Sequence, residues 1–135
     1  MSDNRANDTA AITAVLENLY KAWEAGDADA FVADYTQDAT AIMPGSYRAS
    51  REEVHQGMAA GFASFLKDTT TTNRQLSIRF LGSDAAIVVS EAGILFPGES
   101  EVPADRLVYA TWVLEKRDEA WLIAAYHNSP TQSAG

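Results

Sequence analysis

The chain has 135 residues, 47% apolar and 21% charged, and its 19 acidic against 10 basic side chains give a formal charge of −9. These proportions fit one soluble globular domain long enough to bury a real core. The scattered cations form no basic stripe, which argues against a nucleic-acid partner, and the lack of cysteine excludes disulfides, thiolate metal sites and a cysteine nucleophile.

Residues 1–7 (MSDNRAN) read as a flexible polar tail, without the cationic and apolar regions of a signal peptide. No apolar stretch approaches the ~20 residues of a membrane span, so a cytoplasmic protein with no membrane partner is expected. From Asp8, the apolar residues Ile12, Val15, Leu16, Leu19 and Trp23 recur at helical spacing. Asp8 or Thr9 can cap this first helix, and Gly26 can end it in the left-handed conformation. A short second helix (DADAFVADY) follows at once, and DATAIMPG reads as a strand running into a turn. Ser50 and Glu53 have the spacing of a capping box and open a third helix, predicted to reach about Lys67 with Val54, Met58, Phe62 and Phe65 inward. Gly57 and Gly61 each cost helix propensity, about 1 kcal/mol relative to Ala, and mark places where another element approaches closely.

The second half alternates. Leu76, Ile78 and Phe80 share one face of a strand, AAIVVSEAGILF forms a longer one, and strands at 105–117 and 120–129 meet at a two-residue turn, Asp118-Glu119. Three helices, one strand among them and a four-stranded antiparallel meander make an α+β plan.

The run AGDADAFVADYTQDATAIMPGSYRASREEV, with the closing RDEAWLIAAYHNS, resembles the nuclear transport factor 2-like superfamily. Within it the chain is most similar to SnoaL-like proteins and to the SgcJ/EcaC-type small proteins, some of them associated with enediyne antibiotic biosynthesis. The resemblance spans about residues 8–129 as a single domain and leaves 130–135 as a second flexible tail. It implies a cone-shaped, cystatin-like fold, in which a strongly curved antiparallel sheet wraps around N-terminal helices and leaves a pocket at its open end. It also implies a homodimer formed through the outer sheet face. The superfamily hosts isomerases, dehydratases, hydrolases, cyclases and non-catalytic binders, so fold alone selects no activity.

Counting outward from Asp118-Glu119 pairs Leu114 with Ile123, Trp112 with Ala125 and Ala110 with His127. The resemblance makes the Trp112 face concave, which directs His127 into the pocket. There His127 is the candidate catalytic group, as general acid, general base or hydrogen-bond donor; a hydrogen-bonded polar residue at a strand end is the other reading. Tyr109, Thr111, Tyr126 and Asn128 fall on the presumed dimer face. The steroid-isomerase positions of the superfamily correspond to Met43, to about Leu19 beside Tyr20, and to Trp112, none of which carries a catalytic carboxylate. Asp34 and Asp38 suit capping and turns, and Glu91, expected opposite Gln75 or Arg79, suits a cross-strand ion pair or a dimer contact. His55 and His127 lack metal-ligand spacing, and no nucleotide motif is present, so neither metal nor cofactor is expected.

The candidate ligand-binding residues are Trp23, Tyr35, Met43, Phe62, Phe65, Val88, Ser90 and Trp112, an apolar set with few polar groups. The expected function is binding of a hydrophobic small molecule. It would belong to a cofactor-free enzyme or accessory protein of secondary (polyketide- or enediyne-like) metabolism. A chemical step would be acid–base isomerisation, cyclisation or hydration rather than redox. A non-catalytic ligand carrier or dimeric interaction module is the alternative.

Overall fold

The computed structural model describes residues 2–132. It runs α1 (Ser2–Ala25), α2 (Ala28–Phe31), β1 (Tyr35–Met43), β2 (Ser46–Arg48), α3 (Arg51–Phe62), β3 (Thr70–Phe80), β4 (Ala85–Leu95), a 3-10 turn (Ala104–Arg106), β5 (Val108–Arg117) and β6 (Ala120–Pro130). The six strands form one sheet in the order β2-β1-β6-β5-β4-β3. All neighbours are antiparallel except β1 and β6, which lie parallel. The curved sheet packs on the helices, so the α+β cone expected from the sequence is the fold.

Local chemistry explains the helix ends. Gly26, with φ 66°, stops α1, while the Asp27 N–H donates to the Ala22 carbonyl at 3.0 Å. The Asp27 carboxylate then accepts from the Ala30 N–H at 3.0 Å, so one residue closes α1 and caps α2. At α3 the Ser50 hydroxyl accepts from the Glu53 N–H at 3.1 Å, and the Glu53 carboxylate reaches back to the Ala49 N–H at 2.9 Å. Asp118 and Glu119 both have positive φ, 51° and 67°, as a two-residue hairpin turn requires.

The expected tails need correcting. Helix α1 begins at Ser2, because its first turn is docked: Arg5 donates to the Gly82 carbonyl at 3.0 Å and stacks 4.1 Å over the Phe80 ring. Asp8 is therefore inside the helix. It accepts from Trp121 Nε1 at 3.0 Å and from Lys116 Nζ at 3.3 Å, tying α1 to the last two strands. At the other end β6 includes Pro130, and the Thr131 N–H donates to the Leu107 carbonyl at 3.0 Å. Of the predicted C-terminal tail, residues 133–135 lie outside the described residues.

Two other boundaries move. The second helix is only Ala28–Phe31, and α3 stops at Phe62 rather than near Lys67, with Leu66 folding back against Gly61. Both marked glycines do sit at close approaches. A Cβ on Gly61 would meet Leu66 Cδ1 at 2.8 Å, and one on Gly57 would meet the Arg48 guanidinium carbon at 2.5 Å.

Irregularities in the sheet matter most. Between Val113 and Leu114 the β5–β6 register shifts, so that Leu114 faces Ile123 as predicted but Val113 faces Ala125. The extra residue on β6, Ala124, is a β-bulge that bends the strand and exchanges the faces beyond it. A second shift between Gln75 and Ser77 places Leu76 in a bulge on β3. It turns Leu76 out, 42% exposed, and leaves Ile78 and Phe80 packed on the core. Glu91 consequently pairs across the strand with Arg74, at 3.4 Å, rather than with Gln75 or Arg79.

Candidate functional site

The core closes one end of the cone and leaves the other open. Ile12, Leu16 and Leu19 of α1 and Val54, Met58 and Phe62 of α3 pack against Ala86, Val88, Trp112, Leu114 and Ile123 of the sheet. Beyond them lies a cavity of about 370 Å³ between α1, α3 and the concave sheet face. Its floor is made of small residues, Ala41, Ala92 and Gly93, while large rings stand around it. That contrast opens the space.

The predicted residues divide into three groups. Trp23, Tyr35, Met43, Phe65 and Trp112 line the cavity, with Phe65 at the mouth and 71% exposed. Phe62 lies behind the wall, edge-on to Trp23 with centroids 5.7 Å apart, and Val88 and Ser90 are buried in the sheet at 0% exposure. These three belong to the core rather than the lining. His127 is the third case and a correction. It pairs with Thr111 on the outer face and is exposed, because the Ala124 bulge inverts the strand that sequence alternation carried straight through. The same inversion removes Tyr126 and Asn128 from the presumed dimer face and turns both into the cavity.

The inverted pair builds the polar part of the site. Tyr126 stands opposite Trp112 with ring centroids 4.4 Å apart, and Tyr20 of α1 meets Trp112 edge-on at 6.4 Å. Asn128 Nδ2 donates to the Tyr126 hydroxyl at 2.7 Å. The Asn128 Oδ1 and the Trp112 Nε1–H are buried with no partner among the described residues. Unpartnered buried polar atoms are costly, about 1–3 kcal/mol each, and both belong to residues that line the cavity. Trp23 differs, since its Nε1–H donates to Thr69 Oγ1 at 2.9 Å.

The ionisable groups of the lining are Tyr20, Tyr35, Tyr126, Arg48 and Arg106. Burial pushes all three phenols above their ordinary value of 10.0. For Tyr35 the neighbouring Tyr126 and Tyr20 add to the rise, while the Arg48 charge opposes it. The phenols stay neutral donors at pH 7, and arginine stays charged. The lining thus offers hydrogen-bond donors and cations around an apolar space. Arg106 is already engaged, donating to the Ile94 carbonyl at 3.3 Å, paired with Glu99 and lying over Phe96. His55 is elsewhere, on the surface, with Nε2 2.5 Å from Asp29 Oδ1.

Sequence reading missed Tyr20, Arg48, Tyr126 and Asn128. Gly57 signalled a close neighbour but could not name Arg48. Tyr126 and Asn128 needed the bulge, which the Ala124–Ala125 doublet does not announce.

Comparison with known proteins agrees with this architecture. A family profile described as a SnoaL-like domain matches residues 12–133. The fold is similar to that of a cystatin-like domain of unknown function from Nostoc punctiforme PCC 73102, at 26% identity and a TM-score of 0.87, covering 95% of this chain and 80% of that one. It is also similar to an NTF-2-like protein of unknown function from Shewanella oneidensis MR-1, at 25% identity and a TM-score of 0.77, covering 90% and 98%. A ketosteroid isomerase-like protein from Erwinia carotovora atroseptica SCRI1043 shares the fold at 19% identity and a TM-score of 0.72, covering 92% and 96%. No curated protein matches the sequence. Among the described residues, no helix is long and apolar enough to cross a membrane.

Proposed function

The chain belongs to the SnoaL-like domain family, and from that premise we propose that it is a small-molecule-binding protein whose ligand occupies the cone. The observation that carries this is the open cavity of about 370 Å³, walled by aromatic and small apolar side chains with Tyr35, Tyr126, Asn128 and Arg48 among them. A void of 150 Å³ accepts benzene, so this one holds about 15 non-hydrogen atoms, the size of a two-ring aromatic or a ten-carbon chain with a head group. Donors around an apolar body suit an oxygenated hydrophobe. Support for a role in secondary metabolism, on a polyketide- or enediyne-like compound, is the SgcJ/EcaC resemblance together with this aromatic lining.

Carrying or presenting the ligand fits the lining better than proton abstraction. Apart from its two arginines, its titratable side chains are phenols held above their ordinary range, and a carbon acid needs a base that is free at neutral pH. With His127 on the outer face, catalysis here reduces to donation from Tyr35 or Tyr126, since the Tyr20 hydroxyl already donates to Asn73 Oδ1 at 3.3 Å. The outer face, with Ile42 41% and Tyr109 45% exposed, supports the proposed homodimer, which light scattering of the purified protein checks. A cytoplasmic location is part of the same reading.

Ala41→Leu tests the cavity. The added carbons fill the floor, so binding of 2-naphthamide followed by calorimetry should weaken at least about tenfold with the melting temperature kept. Loss of about 2 kcal/mol of stability, the signature of overpacking, with binding unchanged would show that no ligand space lies over Ala41.

A further inference from the structure

The polar groups of the cavity are not scattered; the strand registers place them in one row. Arg48 on β2 pairs with Ala41 on β1, Ala41 with Tyr126 on β6, and Tyr126 with Trp112 on β5. Paired residues point to the same face, so all four lie on the concave side. Ala41, the smallest, separates Arg48 from Tyr126. Their backbones are two strand spacings apart, about 10 Å, and the space between is cavity.

Arg48 stands out among the cations. Arg74, Arg106, Lys116 and Arg117 each meet a carboxylate, and Arg5 and Arg51 donate to backbone carbonyls. Lys21, Lys67 and Arg79 are exposed to water. Arg48 alone is half-buried with neither kind of partner among the described residues, in a chain with a formal charge of −9. Its guanidinium nonetheless packs against a helix. It rests on Gly57 of α3, where a Cβ would lie 2.5 Å from its Cζ and 2.7 Å from its Nε. A positioned, unpaired guanidinium at the wall of an apolar cavity is costly unless something anionic completes it.

We propose that the cavity recognises an organic monocarboxylate, with its carboxylate over Ala41 between Arg48 and the Tyr126–Asn128 pair and its apolar body among the rings of the cone. This rests on the small-molecule reading above and names the ligand's class. A carboxylate matches the fork of one guanidinium with two parallel N–H···O bonds. The Tyr126 hydroxyl stands on the opposite side; it accepts from the Asn128 amide at 2.7 Å, which leaves its own proton to donate to the carboxylate. The single unpaired cation selects a monoanion, because a phosphate dianion would leave charge uncompensated in an acidic protein. The Tyr35 phenol, which feels the Arg48 charge, borders the same space.

The test uses matched acid–amide pairs, 2-naphthoate with 2-naphthamide and decanoate with decanamide, titrated at pH 7 by calorimetry. At least one pair should bind the wild-type protein, with the acid preferred about tenfold or more. Arg48→Met should weaken that acid roughly 10- to 150-fold, the loss of a charged hydrogen-bonded partner, and leave the amide within about twofold. Retained amide binding also shows that the variant is folded. Arg48→Lys, a point charge without the fork, should recover only part of the preference. Equal binding of acid and amide by the wild type, or a preference that survives Arg48→Met, overturns the carboxylate assignment and leaves the cavity reading standing. Binding of none of the four compounds overturns the cavity reading, and this assignment with it.

Discussion

Replacing Gly57 by Ala separates the two roles of the close approach between β2 and α3. In the interior of a helix the substitution alone should stabilise, because Ala exceeds Gly in helix propensity by about 0.8–1.0 kcal/mol. The new methyl would stand 2.5 Å from the Arg48 Cζ, whereas non-bonded carbons settle at about 3.5–4.0 Å. The guanidinium must therefore move by about 1 Å or swing away. It is the far end of a flexible side chain with no ion pair among the described residues, so the displacement costs little folding energy.

The net expectation is a gain of about 0.5–1 kcal/mol, seen as a melting temperature raised by about 2–4 °C in a domain of this size. The preference for 2-naphthoate over 2-naphthamide should fall at least about fivefold, since a bidentate contact tolerates little misplacement. Thermal melts and calorimetry on the same preparations measure both quantities. A variant destabilised by 1 kcal/mol or more would show that the Arg48 seat bears structural load. A stabilised variant with its acid preference intact would show that the Gly57 notch does not position the charge.

Two further substitutions probe elements around the site. Asp8, whose side chain is 13% exposed, is held below the ordinary value of 3.8, first by the Trp121 hydrogen bond and then by Lys116. A lowered folded-state pKa stabilises above 3.8 and is lost as pH falls through the lower folded value. Asp8→Asn should thus cost about 1–2 kcal/mol at pH 7, with the gap to the wild type closing below pH 3.8 in urea titrations; a gap unchanged down to pH 2.5 would contradict the assignment. His127→Ala should change stability by no more than about 0.5 kcal/mol and leave probe binding within twofold, and a tenfold loss in calorimetry would return the histidine to the site.

What the sequence revealed was whatever local chemistry determines. Ser50 and Glu53 cap a helix because their side chains reach backbone groups within one turn, and Gly26 stops one because it alone enters the left-handed region cheaply. The turn at Asp118-Glu119 fixed the β5–β6 register as far as Leu114 and Ile123 for the same reason. Helix α1 began earlier than its apolar stripe suggested because Arg5 is held by Gly82 and Phe80, contacts far along the chain. Sequence periodicity within the first turn contains no trace of them.

The bulge at Ala124 sets the limit of such reading at the site itself. A strand that alternates without interruption sends His127 inward and Tyr126 outward, and nothing in WLIAAYHNS breaks the alternation visibly, because Ala124 and Ala125 fit either face. The choice is made by the sheet as a whole. A sheet curved tightly enough to enclose helices must bend its long strands, and an extra residue on one strand is how the bend is made. Placed at a pair of alanines, it crowds no large side chain. The bend also decides the chemistry: it exchanges an imidazole for a phenol and an amide across from Arg48. The cavity therefore presents hydrogen-bond donors where straight alternation would have put an imidazole, and curvature of the sheet, rather than any motif, turns this cone towards holding an anion.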